Sequence, residues 1–131
     1  MAVVDPLKIG GNGVPSRLAE TDTARYNPRE ETIASSATPT PNISNGDIYT
    51  VTALAANATF GSPTGTPVQG QRLLIRIKDN GTARTLAWNA IYRAVGIILP
   101  TTTTISKTMY VGCIYNSTDT KWDVIAVAEQ A

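Results

Sequence analysis

Apolar and polar positions alternate most regularly between Leu73 and Lys78. Leu73, Ile75 and Ile77 share one parity, and Leu74, Arg76 and Lys78 share the other. Successive side chains of a strand point to opposite faces, so this pattern predicts a half-buried strand. Asp79-Asn80-Gly81 follows, with residues that accept positive φ, and Leu86 and Trp88 resume a single parity beyond it. The spacing predicts a β-hairpin over 70–88, with Trp88 closing a core against Ile75, Ile77 and Leu86. Upstream, Ile48–Leu54 is rich in β-branched and aromatic residues and predicts a strand, followed by a Gly/Pro-rich loop to Gln69. Asn89–Ala94 reads as a strand or an irregular crossing. Ile105–Tyr115 and Lys121–Ala128 predict two more strands, joined by a turn at residues 116–120. No helix of useful length is predicted. The expected class is all-β, an antiparallel β-sandwich or jelly-roll-like knob.

The last two strands are apolar on both parities. Val111, Cys113 and Tyr115 oppose Tyr110 and Ile114, while Trp122, Val124, Ala126 and Ala128 oppose Ile125 and Val127. A solvated sheet carries polar residues on its outer face. Tyr110, Ile114, Ile125 and Val127 are therefore the candidate oligomer interface, packing against copies of the same chain.

Residues 1–46 have a different texture and are expected as an extended N-terminal arm, with the β domain over 47–131. Five of the eight prolines lie here, beside Gly10-Gly11-Asn12-Gly13 and a Ser/Thr/Asn-rich run. No period of 2 or 3.6 persists, and each proline removes a backbone donor. Such a segment gains order by leaning on another chain, and Val3, Val4, Leu7, Ile9, Val14 and Leu18 are its candidate anchors.

Composition narrows the chemistry. Eleven Lys and Arg face ten Asp and Glu among 131 residues, so no basic field draws nucleic acid. Histidine is absent, which removes the commonest general base and metal ligand. Cys113 is the single cysteine, expected as a small core residue. The start lacks a basic and apolar leader, and no apolar run approaches the ~20 residues that span a bilayer, so no membrane partner is expected and synthesis is placed in a cytoplasm. The glycine cluster has neither flanking strand nor Lys-Ser/Thr pair for a phosphate cradle. Asp119 and Asp123 make at most a weak cation site. Trp88, Tyr92, Tyr110, Tyr115 and Trp122 are weighed as a sugar platform and assigned instead to packing. No catalytic residue, cofactor or metal is expected.

The segments Gly70–Arg84, Trp88–Ala94, Leu99–Thr103, Tyr110–Ser117 and Lys121–Ala128 resemble a β-rich module of bacteriophage structural proteins, found in tail-fibre, minor tail and capsid-surface proteins. The resemblance covers about residues 47–129. It implies a compact, commonly trimeric β domain on a particle surface, and supplies no catalytic residue. A short arm plus one knob, without a long shaft, is the layout of a capsid decoration (cement) protein on the virion surface. Its expected partners are the major capsid protein, gripped by the arm, and two further copies in a homotrimer. The alternative is a small tail-fibre or baseplate tip protein whose knob binds the host surface. An enzyme acting on envelope glycan would need a carboxylate constellation that the sequence does not offer.

Overall fold

The computed structural model describes residues 27–131, and the described chain is all-β. Its strands are β1 (Glu30–Ile33), β2 (Ile48–Leu54), β3 (Ala58–Phe60), β4 (Arg72–Asp79), β5 (Leu86–Trp88), β6 (Tyr92–Ala94), β7 (Met109–Asn116) and β8 (Lys121–Glu129). Six of them form one sheet in the order β1-β2-β4-β7-β8-β6, and β3 pairs with β5 in a second, two-stranded sheet. Among the described residues no helix is long and apolar enough to cross a membrane.

The large sheet is mixed, where an antiparallel one was expected. β1/β2, β2/β4 and β6/β8 are parallel, whereas β4/β7 and β7/β8 are antiparallel. Parallel neighbours need a long crossover. Residues 34–47 provide it between β1 and β2, and residues 55–71 provide it between β2 and β4. Both crossovers run beneath the sheet and build the second layer. There the amides of Thr59, Gly61 and Thr64 donate to the carbonyls of Ala37, Pro39 and Pro41. On the far side, Leu86 N donates to Thr101 O and Thr103 N donates to Arg84 O. Prolines suit the flank of such a layer, because there they only need to accept.

Residues 27–46, expected as arm, are thus built into the fold. β1 pairs with β2 in register from Glu30↔Ile48 to Ile33↔Val51, and Pro39, Pro41 and Ile43 are buried. The rest of the expected arm lies outside the described residues.

The predicted hairpin also resolves differently. The turn at Asp79-Asn80-Gly81 exists, with Gly81 at φ +97° and its amide donating to Asp79 Oδ1. The strands beside it do not pair: β4 sits between β2 and β7, while β5 crosses to the second layer and joins β3 in parallel. Asp79 marks the point where the chain leaves the sheet. Its buried carboxylate accepts from the Thr103 hydroxyl at 2.7 Å and from the amides of Gly81 and Ser106, pinning two loops at one end. Burial would raise its pKa, but those donors and the nearby Arg84 charge outweigh burial and hold it below the usual carboxylate range.

The core fills the space between the layers. Tyr49, Val51, Leu54, Leu73, Ile75, Ile77, Met109, Val111, Cys113, Trp122 and Val124 descend from the large sheet to meet Ala58, Phe60 and Leu86. Trp88 stacks on Phe60 at 4.5 Å between centroids, meets Tyr92 edge-on at 5.3 Å, and donates its indole N–H to Pro100 O. Its ring partners are aromatic, and it packs against the cluster that holds Ile75, Ile77 and Leu86.

Candidate functional site

The outer face of the large sheet holds the unusual surface. Three rows of residues cross it. One row runs Thr32–Thr50–Arg76–Tyr110–Ala128, the next Glu30–Ile48–Leu74–Gly112–Ala126, and the third Arg72–Ile114–Asp123–Arg93. The middle row is apolar over four adjacent strands, from β2 to β8. The third row is charged apart from Ile114, and the first carries one charge, Arg76, among Thr32, Thr50, Tyr110 and Ala128.

Charge on the flanking rows is held in place locally. Arg93 is clasped by Asp123 (Nε–Oδ1 2.7 Å) and Asp119 (2.9 Å), so the two aspartates weighed as a cation site grip a guanidinium. The hydrogen bonds from Arg93, chiefly, hold the Asp123 carboxyl below the usual range, and both carboxylates raise the Arg93 pKa. Arg76 lies over the Tyr110 ring at 5.6 Å and pairs with Glu30 at 3.5 Å.

Between these rows lies an apolar groove of about 290 Å³, lined by Ile48, Leu74, Gly112, Ile114, Ile125 and Ala126, with Pro28 and Asp47 also on its wall. Gly112 makes it possible. Leu74 and Ala126 are its direct neighbours across β4 and β8, and a side chain at 112 would stand between them. Ile125 is 53% exposed although it is one of the larger apolar residues. It stands out because a register shift opposite Gly112/Cys113 inserts one extra residue into β8.

That shift also corrects one expected interface residue. Tyr110, Ile114 and Ile125 do share the outer face, but beyond the bulge Val127 pairs with Val111 and packs against the core. Period 2 carried straight through residues 122–128 assigns Val127 to the wrong side. Ala126 and Leu74 belong to the surface instead, and Gly112 escaped notice because a glycine contributes to a groove only by what it lacks. Val3, Val4, Leu7, Ile9, Val14 and Leu18 lie outside the described residues.

Cys113 is on the core side of β7, and burial pushes its thiol up to about 12. Burial likewise raises the Tyr92 pKa well above the ordinary phenol value, and its hydroxyl donates to Gly61 O at 2.9 Å. Tyr115 and Trp122 pack on each other at 5.0 Å and are buried, as is Tyr92. The aromatic residues thus serve packing, with Tyr110 alone of the five on the outer face. No group of three or more His, Cys, Asp or Glu that could hold a metal ion occurs among the described residues.

Comparisons with models of protein families, with curated proteins and with solved structures give no match. The surface has to be read from its geometry.

Proposed function

We propose that the protein is a non-enzymatic structural component of a bacteriophage virion, a capsid decoration protein that binds and stabilises the major capsid shell through its N-terminal arm. One observation carries this reading: an apolar groove crosses the exposed face of the sheet, and Pro28, the second described residue, stands on its wall. An exposed apolar patch of this kind marks an interaction surface. The sequence before the described residues holds Val3, Val4, Leu7, Ile9, Val14 and Leu18. In this reading the knob is a jelly-roll-like body that assembles as a homotrimer, with Ile125, Ile114 and Tyr110 toward neighbouring copies. The arms lie in grooves of the major capsid protein. Extended peptides bind by placing alternate side chains in pockets, and three weak arm contacts on one trimer add through effective concentration. The likeness of residues 47–129 to phage β modules supports the virion setting.

The test is add-back to particles stripped of the protein. The full chain should bind shells, with copies in proportion to shell subunits, and a chain lacking residues 1–26 should not. Equal binding by both overturns the role of the arm. A full chain that ignores shells but binds host cells or tail complexes is a tail-tip protein instead.

A further inference from the structure

We propose that the outer face carries a second site, an oxyanion pocket built around Arg76 and Lys78 that takes a phosphate group.

The cross-strand neighbours make the first argument. Thr50 pairs with Arg76 and Arg76 with Tyr110, and one step along the same strands Thr52, Lys78 and Thr108 come together. Two cations two residues apart on β4, ~7 Å by strand geometry, are thus flanked by hydroxyl residues on both sides. Opposite charges across a sheet stabilise it, and none of these four neighbours supplies one. Lysine on a strand also guards a sheet edge against foreign strands. β4 is not an edge, because it lies between β2 and β7.

Balancing charge is scarce. Among the described residues one carboxylate reaches the pair: Glu30 accepts from the Thr50 hydroxyl and meets Arg76 Nη1 at 3.5 Å. Asp47 is bound by Arg29, whose guanidinium also donates to the carbonyls of Ser44 and Ile43. Asp79 is held by Thr103, and Asp119 and Asp123 by Arg93. Glu129 lies on the core-side parity of β8, opposite Met109. Lys78 makes no ion pair among the described residues, and Arg76 Nε is buried without a hydrogen-bond partner. A buried donor left open calls for an acceptor, and the long contact to Glu30 leaves the guanidinium free to turn toward a better one.

Size and donor directions select the ligand. The pocket has a volume of about 160 Å³ and is lined by Thr50, Val51, Thr52, Arg76, Lys78 and Thr108. That is room for a small group, short of the ~300–1,000 Å³ that hold a drug-sized ligand. With Thr50 given to Glu30, donors remain on three strands: Thr52 on β2, Arg76 and Lys78 on β4, and Thr108 on β7. A carboxylate offers two oxygens in one plane. A phosphate offers oxygens in several directions and more charge, which suits two cations and hydroxyls converging from both sides. Glu30 stands on the rim as the competitor. The pocket belongs to the free chain and does not depend on the virion reading.

The test titrates the full chain with inorganic phosphate at constant ionic strength, following the amide resonances of Thr52, Lys78 and Thr108. Saturable shifts confined to this end of the sheet are expected, with Gly112 and Ile125 unmoved. Lys78→Gln should weaken binding about fivefold. Glu30→Gln, which removes the competing carboxylate, should tighten it. Arg72→Gln, on the same face of the same strand but outside the pocket, should leave it unchanged. All three positions are exposed, so the variants keep the fold. Glycerol 3-phosphate separates the sources: tighter binding than inorganic phosphate assigns the pocket to an esterified phosphate, and weaker binding assigns it to the free ion. Shifts that sodium chloride reproduces, acetate binding as tightly as phosphate, weaker binding in Glu30→Gln, or equal weakening by Arg72→Gln and Lys78→Gln each overturn the proposal.

Discussion

The two faces of the six-stranded sheet use the same strands and solve opposite problems. On the inner face, Ile75, Ile77, Val111 and Val124 are fully buried, and Trp122 is 1% exposed. On the outer face of the same β4, β7 and β8, Leu74, Gly112 and Ile114 are half-buried and Ile125 is exposed. The inner face is closed by the chain's own second layer. The outer face is apolar across its middle row, with a charged row on one side and a mostly uncharged row around Arg76 on the other, a surface incompletely covered by residues 27–131. Burial on one side is what folds the chain, and apolar area left over on the other is available for assembly.

The largest difference between the faces should appear on truncation. Trp122→Ala removes a fully buried aromatic at a cost of ~3–5 kcal/mol, a large part of the ~5–15 kcal/mol of a typical domain. Mostly insoluble protein, or a urea midpoint far below wild type, is the expected outcome; a normal melt would show that the inner face is not the core. Next comes the clasp at the end of β4. Asp79→Asn leaves the Thr103 hydroxyl and two amides with a poorer acceptor and should cost ~1–3 kcal/mol.

The same carboxylate gives a pH signature. Its folded pKa lies below its unfolded one, so its contribution is complete above the unfolded value and is lost as pH falls through the folded value. Wild-type stability should therefore drop below about pH 4 more steeply than that of Asp79→Asn. Asp123, also held low, keeps a smaller slope in the variant. Equal acid slopes for the two proteins would remove Asp79 from the account.

The outer face should respond far less. In a chain lacking residues 1–26, Ile125→Ala is expected to change stability by no more than ~0.5 kcal/mol in the monomer, measured by urea unfolding at low concentration. A larger loss there would show that the face is already covered within the folded chain. Smallest, and of opposite sign, is Gly112→Ala: its added methyl meets only ordinary contacts and should stabilise the strand by up to ~0.5–1 kcal/mol. A clear destabilisation would mean the glycine is required by the fold itself, and would weaken the case for a groove kept open.

Much of the inner face was legible in the sequence. Period 2 identified β4, β7 and most of β8, β-branched and aromatic composition identified β2, and the Asp-Asn-Gly turn was placed correctly. Pairing was not legible, because alternation says which way side chains point and nothing about which strand lies alongside. Asp79 was passed over as a turn residue, though its carboxylate is buried and ties Thr103 and Ser106 to the end of β4. β1 and β3 are four and three residues long, and the segment between β1 and β2 contains Pro39 and Pro41. That composition reads as unstructured until the prolines are seen to lend carbonyls to Gly61 and Thr64, just beyond β3. On the outer face the alternation found Tyr110, Ile114 and Ile125, and then failed at the bulge, which no period reveals.

The Arg29 anchor has a mechanical consequence. A load drawn through the leader reaches the guanidinium and its bonds to Asp47, Ser44 and Ile43 before it reaches any strand. Beyond it lies β1, an edge strand of four residues parallel to β2. Tension along the axis of β1 shears that ladder and strains its hydrogen bonds together. Tension across the sheet peels them one after another. The direction in which the leader departs therefore decides how much force the knob withstands as a tethered body.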